Sequence, residues 1–286
     1  MLNALSVDVE EWFQVGAFEQ AIARGDWESL APRVEDCCAR VLDLFAAANV
    51  QATFFTLGWV AARHPALVRR IHEAGHEVAS HGWDHARVFT LGAAGFATDL
   101  AQARRALEDA VGAPVRGYRA PSFSIDARTP WAFAVLAEQG HAYSSSVAPV
   151  VHDHYGWRAA PRFAFRPLAD SALIELPVTT AQWGGRRMAA GGGGFFRVLP
   201  YAFTRWAFRQ VNALGQPGVF YFHPWEVDPG QPRVDHAPLR SRLRHYTGLG
   251  RMAGKLERLL RDFSWGRVDA VVDGLSRAAA PLALAA

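Results

Sequence analysis

Short apolar runs alternate along the chain with longer segments whose apolar positions recur every three to four residues, the pattern of successive βαβ units. Ala4–Val9 is a candidate first strand, and Val34–Ala48 predicts a helix with Val34, Cys38, Val41, Leu42 and Phe45 on one face. Ala52–Leu57, β-branched and aromatic, predicts a strand. Val60–Glu73 predicts a helix ended by Gly75, and His76–Ser80 a third strand. Further on, Phe96–Ala110 and Pro130–Glu138 predict helices, and Val115–Arg119 and Ala142–Val147 strands. Ala172–Leu176 and Val219–His223 read as strands, with a helix at Tyr201–Leu214 between them. About seven strands, most followed by helices, imply an α/β barrel or a doubly wound sheet.

Two segments break the rhythm. Gly184–Phe196 (GGRRMAAGGGGFF) lacks GxGxxG between a strand and a helix, which argues against a dinucleotide loop. It reads as a flexible loop over a binding site or as an insertion. After His223 the chain is Pro-rich (Pro224, Pro229, Pro232, Pro238), then offers an Arg-rich amphipathic stretch, Leu239–Phe263, expected as a helix on the outside. The Ala- and Leu-rich tail after Ser276 is expected to fray.

The 286 residues, half apolar, suffice for one large α/β domain or two small ones. Eighteen Phe and ten Trp imply either a large core or a cleft lined with rings, which suits sugars. Net charge is +3, Lys255 is the only lysine, and no basic block forms a nucleic-acid stripe, so nucleic-acid binding is not expected. The two cysteines, Cys37 and Cys38, are adjacent and fit no disulfide or CxxC zinc pattern, which suits a reducing compartment. The first residues, MLNALSVDVEEWF, lack a basic region followed by a long apolar one, so no signal peptide is expected. No run approaches the roughly 18 apolar residues of a membrane span. A cytoplasmic location is therefore the expectation.

Ionisable residues collect where strands end. Asp8 and Glu10 close the first strand, two apart and on one face. His81 and His85 (SHGWDH) follow the third, four apart, so that one helical turn would bring both rings to one side. Arg119 ends the fourth strand within GYRAPSFS, and His223 ends the last within VFYFHPW. In barrel enzymes that end carries the active site. Two imidazoles and a carboxylate are a common open zinc-type donor set, leaving positions for water and substrate. Each residue alone has a bland reading, as surface arginine, core histidine or solvated strand end; the expectation rests on all six together.

The ordered set SVDVEE, SHGWDH, GYRAPSFS and FYFHPW resembles the polysaccharide deacetylase family, also called the NodB homology domain or carbohydrate esterase family 4, over about Leu5–Trp225. IELPVTT and the C-terminal helical stretch resemble its branch associated with exosortase and exopolysaccharide gene clusters. The resemblance implies a distorted (β/α) barrel over residues 1–228 with a helical extension, 229–286, packed on it. It implies a metal-dependent hydrolase removing N-acetyl groups from N-acetylhexosamine units of a polysaccharide or its precursor, in exopolysaccharide biosynthesis. Carried over, the catalytic base falls on Asp8, the arginine orienting it on Arg119 and the general acid on His223. The ligands of a divalent metal fall on Glu10, His81 and His85. Zinc suits that set first, and cobalt, nickel and manganese are served by it too. Tyr143, Trp83, Pro121, Phe123 and Trp225 are expected to touch substrate; Trp12, Phe13 and Trp183 are further candidate platforms for sugar rings. Val9 stands where the common motif T-F-D-D has its metal-binding Asp, so Glu10 takes that place. Ser144 stands where an Asp is usual, which leaves the group orienting His223 unassigned. The expected partner is an N-acetylated glycan, with a homo-oligomer or an exopolysaccharide biosynthesis complex as further associations. Two rivals remain: a hydrolase of cyclic amides such as allantoin on the same fold, and a catalytically inactive glycan-binding scaffold.

Overall fold

The structure is a computed structural model, described over residues 1–151, 156–277 and 283–284. All seven expected strands are present: β1 (Leu2–Val9), β2 (Thr53–Thr56), β3 (Glu77–Ser80), β4 (Gly117–Tyr118), β5 (Tyr143–Ser144), β7 (Ile174–Glu175) and β10 (Val219–Phe222). Five further strands are β6 (Phe165–Arg166), β8 (Thr180–Trp183), β9 (Arg186–Ala189), β11 (Ser264–Gly266) and β12 (Ala283–Leu284). The main sheet runs β10-β1-β2-β3-β4-β5-β7-β6-β12, with β11 beside β1. All its pairings are parallel except β6–β7. It curls toward closure: Thr179 N donates to Val219 O at 3.4 Å, and Tyr221 N to Gly191 O at 2.8 Å. The expected distorted barrel is therefore observed, with β4 and β5 pairing over two residues each.

Helices α1 (Val34–Ala48), α2 (Gly58–Arg63), α3 (Pro65–Glu73), α4 (Val88–Val111), α5 (Ala132–Glu138), α6 (Gly193–Val198) and α7 (Tyr201–Ala213) cover the outside. The one helix expected over 60–73 is two, because Pro65 cannot donate into a continuous ladder and opens α3. Leu5, Val7, Val9, Phe54, Phe220 and Phe222 share a fully buried cluster with Val41 and Phe45 of α1. Burying each such Phe stabilises the fold by about 2–3 kcal/mol. The glycine-rich run is structured: Gly184 and Gly185, at φ 54° and 75°, turn the β8–β9 hairpin, and the four glycines Gly191–Gly194 lead into α6. The expected flexible loop is thus replaced by a hairpin and a helix.

The C-terminal helix expected over 239–263 is also two, α8 (Leu239–Tyr246) and α9 (Met252–Asp262), parted at Gly248 in the left-handed region. The chain beyond α9 enters the barrel. Val268, Val271 and Val272 of α10 (Val268–Arg277) share an apolar cluster with Ala4, Phe55, Ala79, Tyr143 and Val219. The N–H groups of Val268 and Asp269 donate to Thr53 Oγ1 and Glu77 Oε2. Both acceptors lie where strands begin, so α10 plugs the floor of the barrel and the other end is left for chemistry. Residues 229–277 are therefore more than an outer cover. The tail beyond Arg277 lies largely outside the described residues.

Candidate active site

The alternation of β1 points Ser6 and Asp8 into the barrel. Arg119, fully buried, spans the interior to meet them. Its Nη1 donates to Asp8 Oδ1 and to Ser6 Oγ, both at 2.7 Å, and Nε and Nη2 donate to Ser145 O and Oγ at 3.0 and 2.9 Å. The guanidinium carbon lies 4.1 Å from the Phe55 ring centre. Four directed bonds leave this cation little freedom, and it aims the Asp8 carboxylate at the mouth.

Glu10 follows on the same face, 2% exposed. His81 and His85 join it: one donor atom from each of the three lies within 4.8 Å of the others. His81 Nδ1 stands 2.8 Å from the carbonyl of Arg119, which accepts a hydrogen bond from Nδ1–H and leaves the Nε2 lone pair open to a metal. Burial, opposed by Asp8, holds this imidazole at about 4, hence neutral. His85 Nε2 is 3.0 Å from Glu10 Oε2, yet that buried oxygen has no hydrogen bond among the described residues. Burial would raise Glu10, but His85 and then His223 beside it bring it down to about 2. An ionised carboxylate with an orphaned oxygen, facing two imidazoles, fits a divalent cation.

The His81–His85 run is not the expected helical turn. Gly82 and His85 take φ of 77° and 63°, and the loop is pinned from two sides. Gly58 and Trp59 at the start of α2 donate to the carbonyls of Gly82 and Trp83, and Trp83 N donates to Asp99 of α4. Ser122 and Phe123, also left-handed, form the neighbouring turn. Backbone strain of this kind costs on the order of 1–3 kcal/mol per residue and collects at functional sites.

His223 completes the ring of groups, with Nε2 3.5 Å from Glu10 Oε1. Its ring stacks on Trp225 (5.1 Å, 17°), whose Nε1 donates to the same Glu10 oxygen at 3.3 Å. Burial opposes its charge, but Glu10 and Glu226 raise His223 to about 9.

Of the expected substrate contacts, Trp225, Pro121 and Phe123 adjoin this cluster: Pro121 lies against Gly82, and Phe123 is 4.7 Å from Tyr221 and 5.6 Å from the Arg119 guanidinium. Tyr143 does not. It enters at the N-terminal end of β5, so its hydroxyl reaches Glu77 on the floor, at 2.8 Å. The Trp83 ring packs over Gly58 and along α4, Trp12 and Phe13 are core, and Trp183 stands 75% exposed on the β8–β9 hairpin. A cleft of about 280 Å³ lies beside His85, lined by Phe13, Gln14, Arg24, Trp27 and Arg87. Two carboxylates escaped sequence reading. Glu11 accepts the N–H groups of Arg33 and Val34 and caps α1 from a distance; Glu226 sits behind His223. The run H-P-W-E carried the only signal for Glu226. Ser144, on the outward side of β5, bonds to Ser146 Oγ and does not face His223.

Residues 27–143 match the family model described as Polysaccharide deacetylase, and residues 145–273 match one described as Domain of unknown function (DUF3473). The chain carries a polysaccharide deacetylase domain. Asp8 and Glu10 precede that match and His223 follows it. A chitooligosaccharide deacetylase of Sinorhizobium fredii is 34% identical over 145 residues, which are 50% of this chain and 60% of that protein. A chitin deacetylase of a Pestalotiopsis species is 32% identical over 120 residues, 41% of this chain and 39% of that one. The chain thus spans less than two thirds of the length of these relatives. In fold it is similar to a candidate polysaccharide deacetylase from Mycobacterium smegmatis (TM-score 0.64, 21% identity, 99% of this chain and 93% of the other). It is also similar to PuuE allantoinase (TM-score 0.61, 15% identity, 95% and 89%).

Proposed function

We propose that the chain is a metal-dependent hydrolase that removes N-acetyl groups from N-acetylhexosamine units of a polysaccharide or its precursor. One observation carries the reading: an Arg-held carboxylate, a three-donor metal set and an imidazole with a raised pKa converge on one barrel mouth. Glu10, His81 and His85 would hold a divalent ion, zinc before cobalt, nickel or manganese. Bound there, it would act as a Lewis acid toward the acetyl carbonyl and the attacking water. Asp8, aimed by Arg119, takes a proton as the water oxygen bonds to the acetyl carbon. His223, protonated, gives its proton to the nitrogen as the C–N bond breaks, so acetate and a neutral amine leave. Pro121, Phe123 and Trp225 are placed to bound the sugar.

The family's deacetylases of chitin and chitooligosaccharide support this substrate class. The resemblance to the exopolysaccharide branch and two free buried cysteines support a finer reading, an exopolysaccharide precursor met inside the cell. No helix among the described residues is long and apolar enough to cross a membrane. Recovery of a processed form from the periplasm would sink the intracellular part. The test of the activity is acetate release from N-acetylhexosamine oligosaccharides by chelator-stripped protein given back one metal at a time, with Asp8→Asn as control. Metal-dependent release that vanishes in Asp8→Asn is expected. Ring opening of allantoin without acetate release would instead assign the cyclic-amide chemistry.

A further inference from the structure

Residues 176–225 hold five arginines and no Asp or Glu, in a chain whose whole net charge is +3. The same stretch carries Trp183, Phe195, Val198, Trp206 and Leu214, half of the large apolar side chains exposed among the described residues. Folding gathers part of it on one face. Ala181 and Ala190, at the base of the β8–β9 hairpin, share a small buried cluster with Ala207 of α7. Gln182 N donates to Gln210 Oε1, and Gln210 Nε2 donates to Gln182 O, both at 2.8 Å. Trp183, 75% exposed, therefore stands beside α7. Along α7 the exposed residues Ala202, Trp206 (38%) and Arg209 recur at helical spacing. Trp206 and Arg209 line a shallow groove of about 700 Å³ with Arg205 and with Arg258 of α9. No acid lines this groove, and Asp262 beside it is held by Arg205 at 3.9 Å and by the Tyr201 hydroxyl at 2.7 Å.

An indole left in water at a hairpin tip adds nothing to the core and is unfavourably hydrated. Such a ring gains at a boundary that is apolar on one side and wet on the other. Arginines around it gain there too, with their stems along the apolar surface and their heads on phosphates. A protein partner would have to bring an acidic face shaped to both the hairpin and the helix. A bilayer with anionic headgroups offers the negative charge and the apolar layer together, and asks for no such shape. We propose that the β8–β9 hairpin and the outer side of α7 dock this protein on an anionic phospholipid bilayer. Trp183 and Trp206 sit at the headgroup–acyl boundary, and Arg186, Arg209 and Arg258 meet lipid phosphates. The docking is peripheral and does not depend on the deacetylase reading.

The test is sedimentation of the full chain with vesicles of phosphatidylcholine alone and of phosphatidylcholine mixed with phosphatidylglycerol. We expect binding to the mixed vesicles, at least about tenfold weaker binding to the neutral ones, and release as salt is raised. Trp183→Ser and Arg209→Glu each change an exposed side chain, and each should lower affinity for the mixed vesicles at least about fivefold. Arg105→Glu makes the same charge change on α4, which packs on β3 and α5 and not on α7. It should stay within about twofold of the wild type. Thermal melts of the three variants show whether each is folded when its binding is measured. No binding to either vesicle, equal binding to both, or full binding by Trp183→Ser and Arg209→Glu would overturn the proposal. So would a dimer in light scattering that these two variants abolish, without vesicle binding, which would assign the face to a second copy of the chain.

Discussion

Arg119 shows how one side chain can be legible in sequence while its work is not. The run GYRAPSFS marks it as held, but only the fold reveals that it reaches Ser6, Asp8 and Ser145 through a closed interior. Removing the Asp8 charge leaves that guanidinium buried without the ion pair that Asp8 supplies. Asp8→Asn should therefore retain stoichiometric metal, lower acetate release by at least about 100-fold and also lower the melting temperature, since breaking a buried pair costs about 3–5 kcal/mol. Metal content, turnover and a thermal melt on the same preparation check this; full turnover would remove Asp8 from the role of base. His223→Ala should keep metal and slow amide cleavage far more than cleavage of an acetyl ester with a good leaving group. The six ionisable residues could be read from sequence because strands deliver them at one end, a matter of register. Glu226 and Arg197, a buried ion pair at 2.8 Å, could not, since their meeting depends on how the chain after the hairpin returns against the last strand.

Elements divide in the same way. Strands with β-branched and aromatic runs and helices with clear periodicity stood out, as α1 did over Val34–Ala48. The two-residue strands, the hairpin at Gly184–Gly185 and the α10 plug depend on contacts distant in sequence and carry little local pattern. The His81–His85 loop is the sharpest case: i, i+4 spacing suggested a helical turn, and pinning by α2 and α4 produced a strained loop instead. A Cβ on Gly58 would meet both the Trp83 ring and the backbone of Ala103. Gly58→Ala should thus part α2 from α4, destabilise the protein by about 1–3 kcal/mol and weaken metal binding, although Gly58 touches no donor atom. Denaturant unfolding and metal titration would check it; loss of stability with unchanged affinity would show that the loop holds its shape without α2.

The whole barrel reads as layers along its axis: a floor of Thr53, Glu77, Tyr143 and α10, a middle crossed by Arg119, and a mouth where Glu10, His81, His85 and His223 gather. Burying so many ionisable groups gives stability a pH profile that can be derived in sign. His76, His141 and His245 are depressed by burial to about 4, 3 and 3, so the unfolded chain binds more protons than the folded one below pH 6.5. Their contribution is whole above that pH and is lost as pH falls toward their folded values. Glu11, Glu77 and Glu175 are raised by burial to about 7 and act oppositely. Their folded forms hold protons that the unfolded chain releases near 4.5, so stability falls as pH rises from 4.5 through 7. Between about pH 4.5 and 6.5 the two sets offset each other, and beyond either limit one acts alone. Urea unfolding at pH 3.5, 5.5 and 8.5 should accordingly show a maximum at the middle value, with losses on the order of a few kcal/mol on each side. His141 offers a control, since its ring is buried beside Tyr118 and touches no part of the mouth. His141→Phe should shallow the acidic limb and leave the alkaline one in place, whereas Glu175→Gln should do the reverse. Stability that climbed steadily to pH 8.5 would mean that the buried carboxyls ionise freely, and that the layers beneath the mouth are wetter than their packing implies.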